Sequence, residues 1–286
     1  MSHQVQIVPA ALTFTVERDE PILAAAIRQG IGLPYGCRDG ACGSCKSRLV
    51  QGRVLHGAHQ SKALSAAEEE AGLILTCCAT PQTDCVVEAR SVAGAGDFPV
   101  LKMPARVQSL QRAAPDVMVM TLQLPANQVL RYRAGQYVEF ILRDGSRRSY
   151  SMANAPHRLG SPPCIELHLR HMPGGKFTDH VFGAMKDKEI LRMEGPFGSF
   201  FLREESVKPI VLLASGTGFA PIQAIFVHRA VMDDFADLSG HEVYACGAPI
   251  VVDSAQRDFV LERRLPPEAF FADAFTSEQD KQAAPA

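Results

Sequence analysis

Cys37, Cys42, Cys45 and Cys77 stand as C-x4-C-x2-C with a fourth cysteine far downstream, and this spacing constrains the chain more than anything else in it. Three thiols in one short loop, among Gly36, Gly40, Ala41, Gly43 and Ser44, leave backbone N–H groups free to approach the sulfurs. Two tetrahedral ferric ions bridged by sulfide need four thiolates, and the spacing is that of plant-type 2Fe-2S clusters. Zinc sites usually pair C-x2-C knuckles, which a triple and a singleton do not supply. The four cysteines are therefore expected to be the metal ligands. Cys78 is expected to point the other way in an extended segment and to be a small buried residue, as are Cys85 and Cys164.

Twenty-nine basic side chains against 31 acidic ones give a net charge of −2, which provides no field for nucleic acid. The first ten residues lack the order of a signal peptide, so the cytoplasm is the expected compartment. In such a reducing compartment eight cysteines point to metal or redox chemistry before disulfides. Residues 210–227 carry no charge, but Gly216, Thr217, Gly218, Pro221 and Gln223 inside the run argue for a strand turning into a helix, with no membrane insertion.

Pattern and punctuation divide the chain. Residues 1–92 read as short strands around a helix over 21–29, a small α+β unit. Residues 93–104 are small and aperiodic, a linker. Residues 105–206 give strand after strand separated by Gly, Pro and Asp-Gly turns, an antiparallel β-barrel. From 207 to 286 apolar strands alternate with helices, a parallel α/β sheet.

The cysteine loop, with LTCCA downstream, looks like the 2Fe-2S ferredoxin domain of bacterial multidomain reductases, which implies a β-grasp-like fold for residues 1–92. Arg148, Ser149, Tyr150 and Ser151 resemble the R-x-Y-S motif of the ferredoxin-NADP reductase superfamily. By that resemblance the arginine pairs with flavin phosphate, the tyrosine packs on the isoalloxazine ring and the serine bonds near its reactive nitrogen. His168, Arg170, Gly174, Gly175, Lys176, Phe177 and Thr178 resemble the second flavin segment of the superfamily, where a glycine turn opens a helix toward pyrophosphate. That segment implies FAD rather than FMN. The GPFG segment at 195–198 lies where the family closes its barrel.

Gly216, Thr217, Gly218 and Pro221 follow an apolar strand directly, as a dinucleotide turn should. Cys246 and Gly247 resemble the family's C-G-x-P segment beside the nicotinamide, and Phe275 resembles the aromatic that covers the flavin. Tyr150, Ser151, Cys246 and Phe275 are thus the expected catalytic residues.

The order of parts resembles NAD(P)H-dependent oxygenase reductases of the CDP-6-deoxy-Δ3,4-glucoseen reductase type. The resemblance implies electron flow from NADH or NADPH through FAD and the cluster to an acceptor protein, of oxygenase or dehydratase type. One departure stands out. Only 24 residues separate Pro221 from Cys246, where two further strand–helix units of the family would add roughly 50 residues. The join is expected near 225–226. Such a chain either retains nicotinamide chemistry in a shortened domain or is a non-enzymatic cluster and flavin carrier.

Overall fold

The computed structural model describes residues 2–94, 96–203, 206, 208–225, 237–247, 249–262 and 264–274. They form two compact units that divide between Pro99 and Val100.

The first unit begins with β1 (His3–Val8), where Val5 and Ile7 are fully buried while Gln4 and Gln6 face out, the period of a half-buried strand. β2 (Leu12–Val16) returns antiparallel beside it. Pro21 then fixes an extended entry into α1 (Ile22–Arg28), which buries Ile22, Leu23, Ala25 and Ala26. β3 (Lys46–Gln51) and β4 (Val54–Leu55) come next, and α2 (Ala66–Glu70) starts on a reciprocal Ser65 and Glu68 capping box. β5 (Leu73–Leu75), β6 (Thr80–Pro81) and β7 (Cys85–Glu88) complete the unit. The main sheet has the order β2-β1-β7-β3-β5, with β1 and β7 parallel inside an otherwise antiparallel sheet. This is the β-grasp-like α+β arrangement expected.

In the second unit β8 (Leu101–Ala114) starts inside the stretch read as linker. With β9 (Val117–Gln123), β10 (Tyr137–Ile141), β11 (Arg147–Ser151), β12 (Cys164–Arg170) and β13 (Ile190–Phe197) it forms one antiparallel sheet of order β11-β10-β13-β8-β9-β12. The bridge between Met152 and Leu167 joins the first and last strands and closes the barrel. Met120, Leu122, Val138, Ile165, Leu167 and Met193 fill it, and α3 (Lys176–Gly183) plugs the core with Phe177 and Val181.

The barrel is followed by β14 (Ile210–Ala214), α4 (Phe219–Ile225), β15 (Glu242–Gly247), α5 (Pro249–Glu262) and β16 (Phe270–Ala274). These three strands are parallel in the order β14-β15-β16, so β14 is an edge among the described residues. Val211 and Leu213 pack toward Val243, Ala245 and Phe270, while Ile210, Leu212 and Ala214 pack toward Ile222, Tyr244 and Phe271. Both faces of β14 are apolar, the composition of a strand sheathed on two sides, yet none of its five residues is fully buried. The uncharged run at 210–227 thus resolves into strand, turn and helix as far as residue 225. No helix among the described residues is long and apolar enough to cross a membrane.

Candidate functional site

The cluster loop brings its thiols together in two pairs. The Cys37 N–H points at Cys42 Sγ at 3.4 Å and the Cys42 N–H at Cys37 Sγ at 3.3 Å. Cys45 Sγ and Cys77 Sγ lie 3.2 Å apart, both side chains buried. Among the described residues no three His, Cys, Asp or Glu side chains converge to hold a single ion. A mononuclear zinc site would require that convergence, whereas a binuclear cluster takes two protein thiolates on each iron. The hydrogen bond from Cys37 brings the Cys42 thiol down to about 6, against the cost of burial. Cys37 and Cys45 move up, each because its bonded partner thiol and then burial disfavour a second negative charge. Four adjacent thiolates need cations between them, which two ferric ions supply. The residues fit a 2Fe-2S group.

The position of Cys78 corrects the sequence reading. The chain coils at this point, with the N–H groups of Cys78 and Ala79 both donating to the Leu75 carbonyl at 2.9 and 2.8 Å. In such a turn neighbouring side chains do not alternate as they do in a strand. Cys78 is half-buried and its Sγ lies 3.5 Å from Cys77 Sγ. Cys164 is also only half-buried, its thiol 2.9 Å from Gln108 Oε1, while Cys85 is buried as expected.

On the barrel, period-two alternation puts Arg148 and Tyr150 on one face of β11 and Ser149 and Ser151 on the other. The Tyr150 ring packs 5.6 Å from Phe177 and 5.9 Å from Phe140, and burial pushes its phenol up. Ser149 Oγ donates to the buried Glu139 carboxylate at 3.4 Å, and Arg147 bridges Glu139 and Glu194. His168 pairs with Glu166 at 3.0 Å and Arg170 with Asp116 at 3.0 Å. Gly175 caps α3 in close quarters: a Cβ there would lie 2.8 Å from the Met172 carbonyl and 2.7 Å from Thr178 Oγ1. Thr178 Oγ1 donates to that carbonyl at 2.9 Å and so shapes the turn. The Gly174 N–H donates to Asp179 at 3.1 Å, and Lys176 reaches Asp144 across from the β10–β11 turn at 2.5 Å. That pair holds the Asp144 carboxyl well below the usual carboxylate range. Asp144 escaped sequence reasoning because a turn aspartate carries no signal of its long-range partner.

An arginine on this face is suited to a flavin phosphate. Arg148→Ala is expected to weaken FAD binding by about 1.5 to 3 kcal/mol, roughly tenfold to a hundredfold. Fluorescence titration of the apoprotein with FAD measures this, and an unchanged affinity would remove Arg148 from the phosphate site.

The residues expected to meet a nicotinamide come together at the ends of β14 and β15. Gly216, Thr217 and Gly218 form a 3-10 turn that lies against β12 of the barrel. The Ser215 N–H donates to the Cys246 carbonyl at 3.1 Å. A Cβ on Gly218 would lie 2.4 Å from that oxygen, so only glycine permits the approach. Pro221 is buried in α4, and Gly247 lies against Ser215. Cys246 is 1% exposed; burial raises its thiol well above the ordinary value, with the charge of Asp273 adding to the effect. Asp273 is its register partner on β16, a neighbour that only the parallel pairing reveals. Phe270 and Phe271 are buried, and Arg203 reaches over Phe271 at 4.8 Å and Phe201 at 4.4 Å, tying the sheet to the barrel. Phe275 and the join expected at 225–226 extend outside the described residues, which stop at Ala274 and at Ile225.

Residues 5–82 match the 2Fe-2S iron-sulfur cluster binding domain, and residues 104–202 match the oxidoreductase FAD-binding domain. The CDP-6-deoxy-L-threo-D-glycero-4-hexulose-3-dehydrase reductase of Yersinia pseudotuberculosis is 32% identical, across 96% of this chain and 99% of the relative. That alignment runs over 333 positions, more than the 286 residues available, so the relative has segments this chain lacks. Reductase component 2 of terephthalate 1,2-dioxygenase from a Comamonas species is 37% identical over 82% of this chain and 67% of its own length. Among solved structures, an Amycolatopsis cytochrome P450 reductase superposes with a TM-score of 0.76 at 27% identity, covering 96% of this chain and 99% of that one.

Proposed function

Because the chain belongs to the NAD(P)H-dependent iron–sulfur flavoprotein reductases, oxidoreductases that pass electrons through FAD and a 2Fe-2S cluster to an acceptor protein, we propose how its residues divide that work. FAD, when bound, turns the electron pair of a nicotinamide into single electrons that a two-iron cluster can take up. Arg148 and the Gly174–Lys176 turn hold its phosphates, and Tyr150, backed by the buried Phe177, packs on its ring. Ser151 supplies a hydroxyl beside that ring. Cys37 and Cys42 hold one iron; Cys45 and Cys77 hold the other. The single observation that supports nicotinamide chemistry in so short a domain is the retained turn at 216–218, packed on Cys246 and against the barrel strand β12. There the turn positions a nicotinamide, and the buried neutral Cys246 excludes water from its reactive carbon. The acceptor is an oxygenase or dehydratase component, the reading favoured by what the Yersinia and Comamonas relatives are named for.

Gly218→Ala tests this assignment. The added methyl must displace the turn from Cys246, so NADH should reduce the flavin far more slowly, while FAD and iron contents stay those of the wild type. Unchanged NADH-driven bleaching in stopped flow would separate this turn from nicotinamide binding.

A further inference from the structure

Cys78 lies in the cluster's thiol group without a part in the four-cysteine assignment. Its Sγ is 3.5 Å from Cys77 Sγ, which is itself 3.2 Å from Cys45 Sγ. Sulfurs bound to one tetrahedral metal at about 2.3 Å stand roughly 3.8 Å apart. Each contact thus has the scale of two neighbouring ligands on an ion, although the three sulfurs do not converge on one ion together, so Cys77 and Cys78 are alternatives. The thiol also faces the cluster loop: Gly40 runs at φ +77°, and a Cβ on it would lie 2.8 Å from Cys78 Sγ. The turn is anchored on both sides, by Cys78 N–H donating to Leu75 and by Gly57 N–H donating to the Cys78 carbonyl at 3.0 Å. Only side-chain rotation is then needed to bring the sulfur toward the Cys45 side of the cluster.

We propose that Cys78 is a reserve ligand: the iron held by Cys45 and Cys77 can be held by Cys45 and Cys78 instead. The inference rests on the four-cysteine assignment. The exchange is a substitution without electron transfer. An Fe–S bond to Cys78 forms as its S–H proton goes to solvent, and the bond to Cys77 breaks as that sulfur takes up a proton. No comparable spare thiol adjoins Cys37 and Cys42 among the described contacts, so the reserve serves one iron only.

Iron and FAD contents, visible absorption and the electron paramagnetic resonance of the reduced protein test this in full-length variants. Cys77→Ala should keep a two-iron cluster with shifted g values and retain FAD. Cys77→Ala/Cys78→Ala and Cys45→Ala should keep FAD and lose the cluster. A Cys77→Ala protein as empty of iron as Cys45→Ala would overturn the reserve role, whereas a Cys45→Ala protein with full iron would overturn the ligand assignment beneath it. Cys78→Ala, which keeps the four primary thiols, gives a second reading should Cys77→Ala fail to fold. Under an iron chelator it should lose its cluster several-fold faster than the wild type, and equal rates would also overturn the proposal.

Discussion

Cys45→Ala is expected to yield a yellow protein: FAD retained, cluster absorption gone and iron reduced to background. The effect is large because Cys45 is 3% exposed at the heart of the thiol group, where water does not replace a thiolate. The iron would be left with one protein thiolate, because Cys78 stands in for Cys77 and not for Cys45. The flavin survives because its residues belong to the other compact unit, whose barrel has its own core from Met103 to Met193. Iron assay and the visible spectrum on one preparation check both halves of the expectation. Full iron in the variant would mean that the C-x4-C-x2-C loop had been misassigned.

The second large effect concerns the nucleotide. A complete parallel sheet of this kind has the order 3-2-1-4-5, and the acidic or basic group that reads the adenosine ribose stands at the end of its second strand. Among the described residues the sheet has three strands, and β14, the counterpart of strand 1, lies at its edge. The turn at 216–218 and Cys246, proposed to meet the nicotinamide, are among the described residues, and no second strand to carry a ribose reader is found among them. Reduction by NADH is therefore expected to need high nucleotide concentration. Discrimination between NADH and NADPH should fall within about tenfold, or roughly 1.4 kcal/mol. Stopped-flow reduction across a concentration series of each nucleotide gives both quantities. Tight saturation by one nucleotide with clear rejection of the other would show that a reader exists elsewhere in the chain.

Much of this was legible in sequence for physical reasons. A two-iron cluster dictates ligand number and leaves its spacing in the chain, so Cys37, Cys42, Cys45 and Cys77 stood out as the candidate ligands. Strand alternation exposed the barrel, and the short interval before Cys246 exposed how short the last domain is. Turn geometry was not legible. Cys78 was misread because a coil at 75–79 looks in sequence like a continuation of β5. Asp144 beside Lys176 and Asp273 beside Cys246 depend on pairings across long separations, which composition and spacing do not carry.

Electrons are expected to enter from a nicotinamide and to reach the cluster through the flavin. Anaerobic titration with NADH, followed by visible absorption in wild type and Cys45→Ala, tests this most directly. The wild type should lose both flavin and cluster absorption at high NADH, and Cys45→Ala should lose the flavin absorption alone. A wild-type protein bleached by dithionite but untouched by NADH or NADPH at any concentration would instead be a cluster and flavin carrier without nicotinamide oxidation.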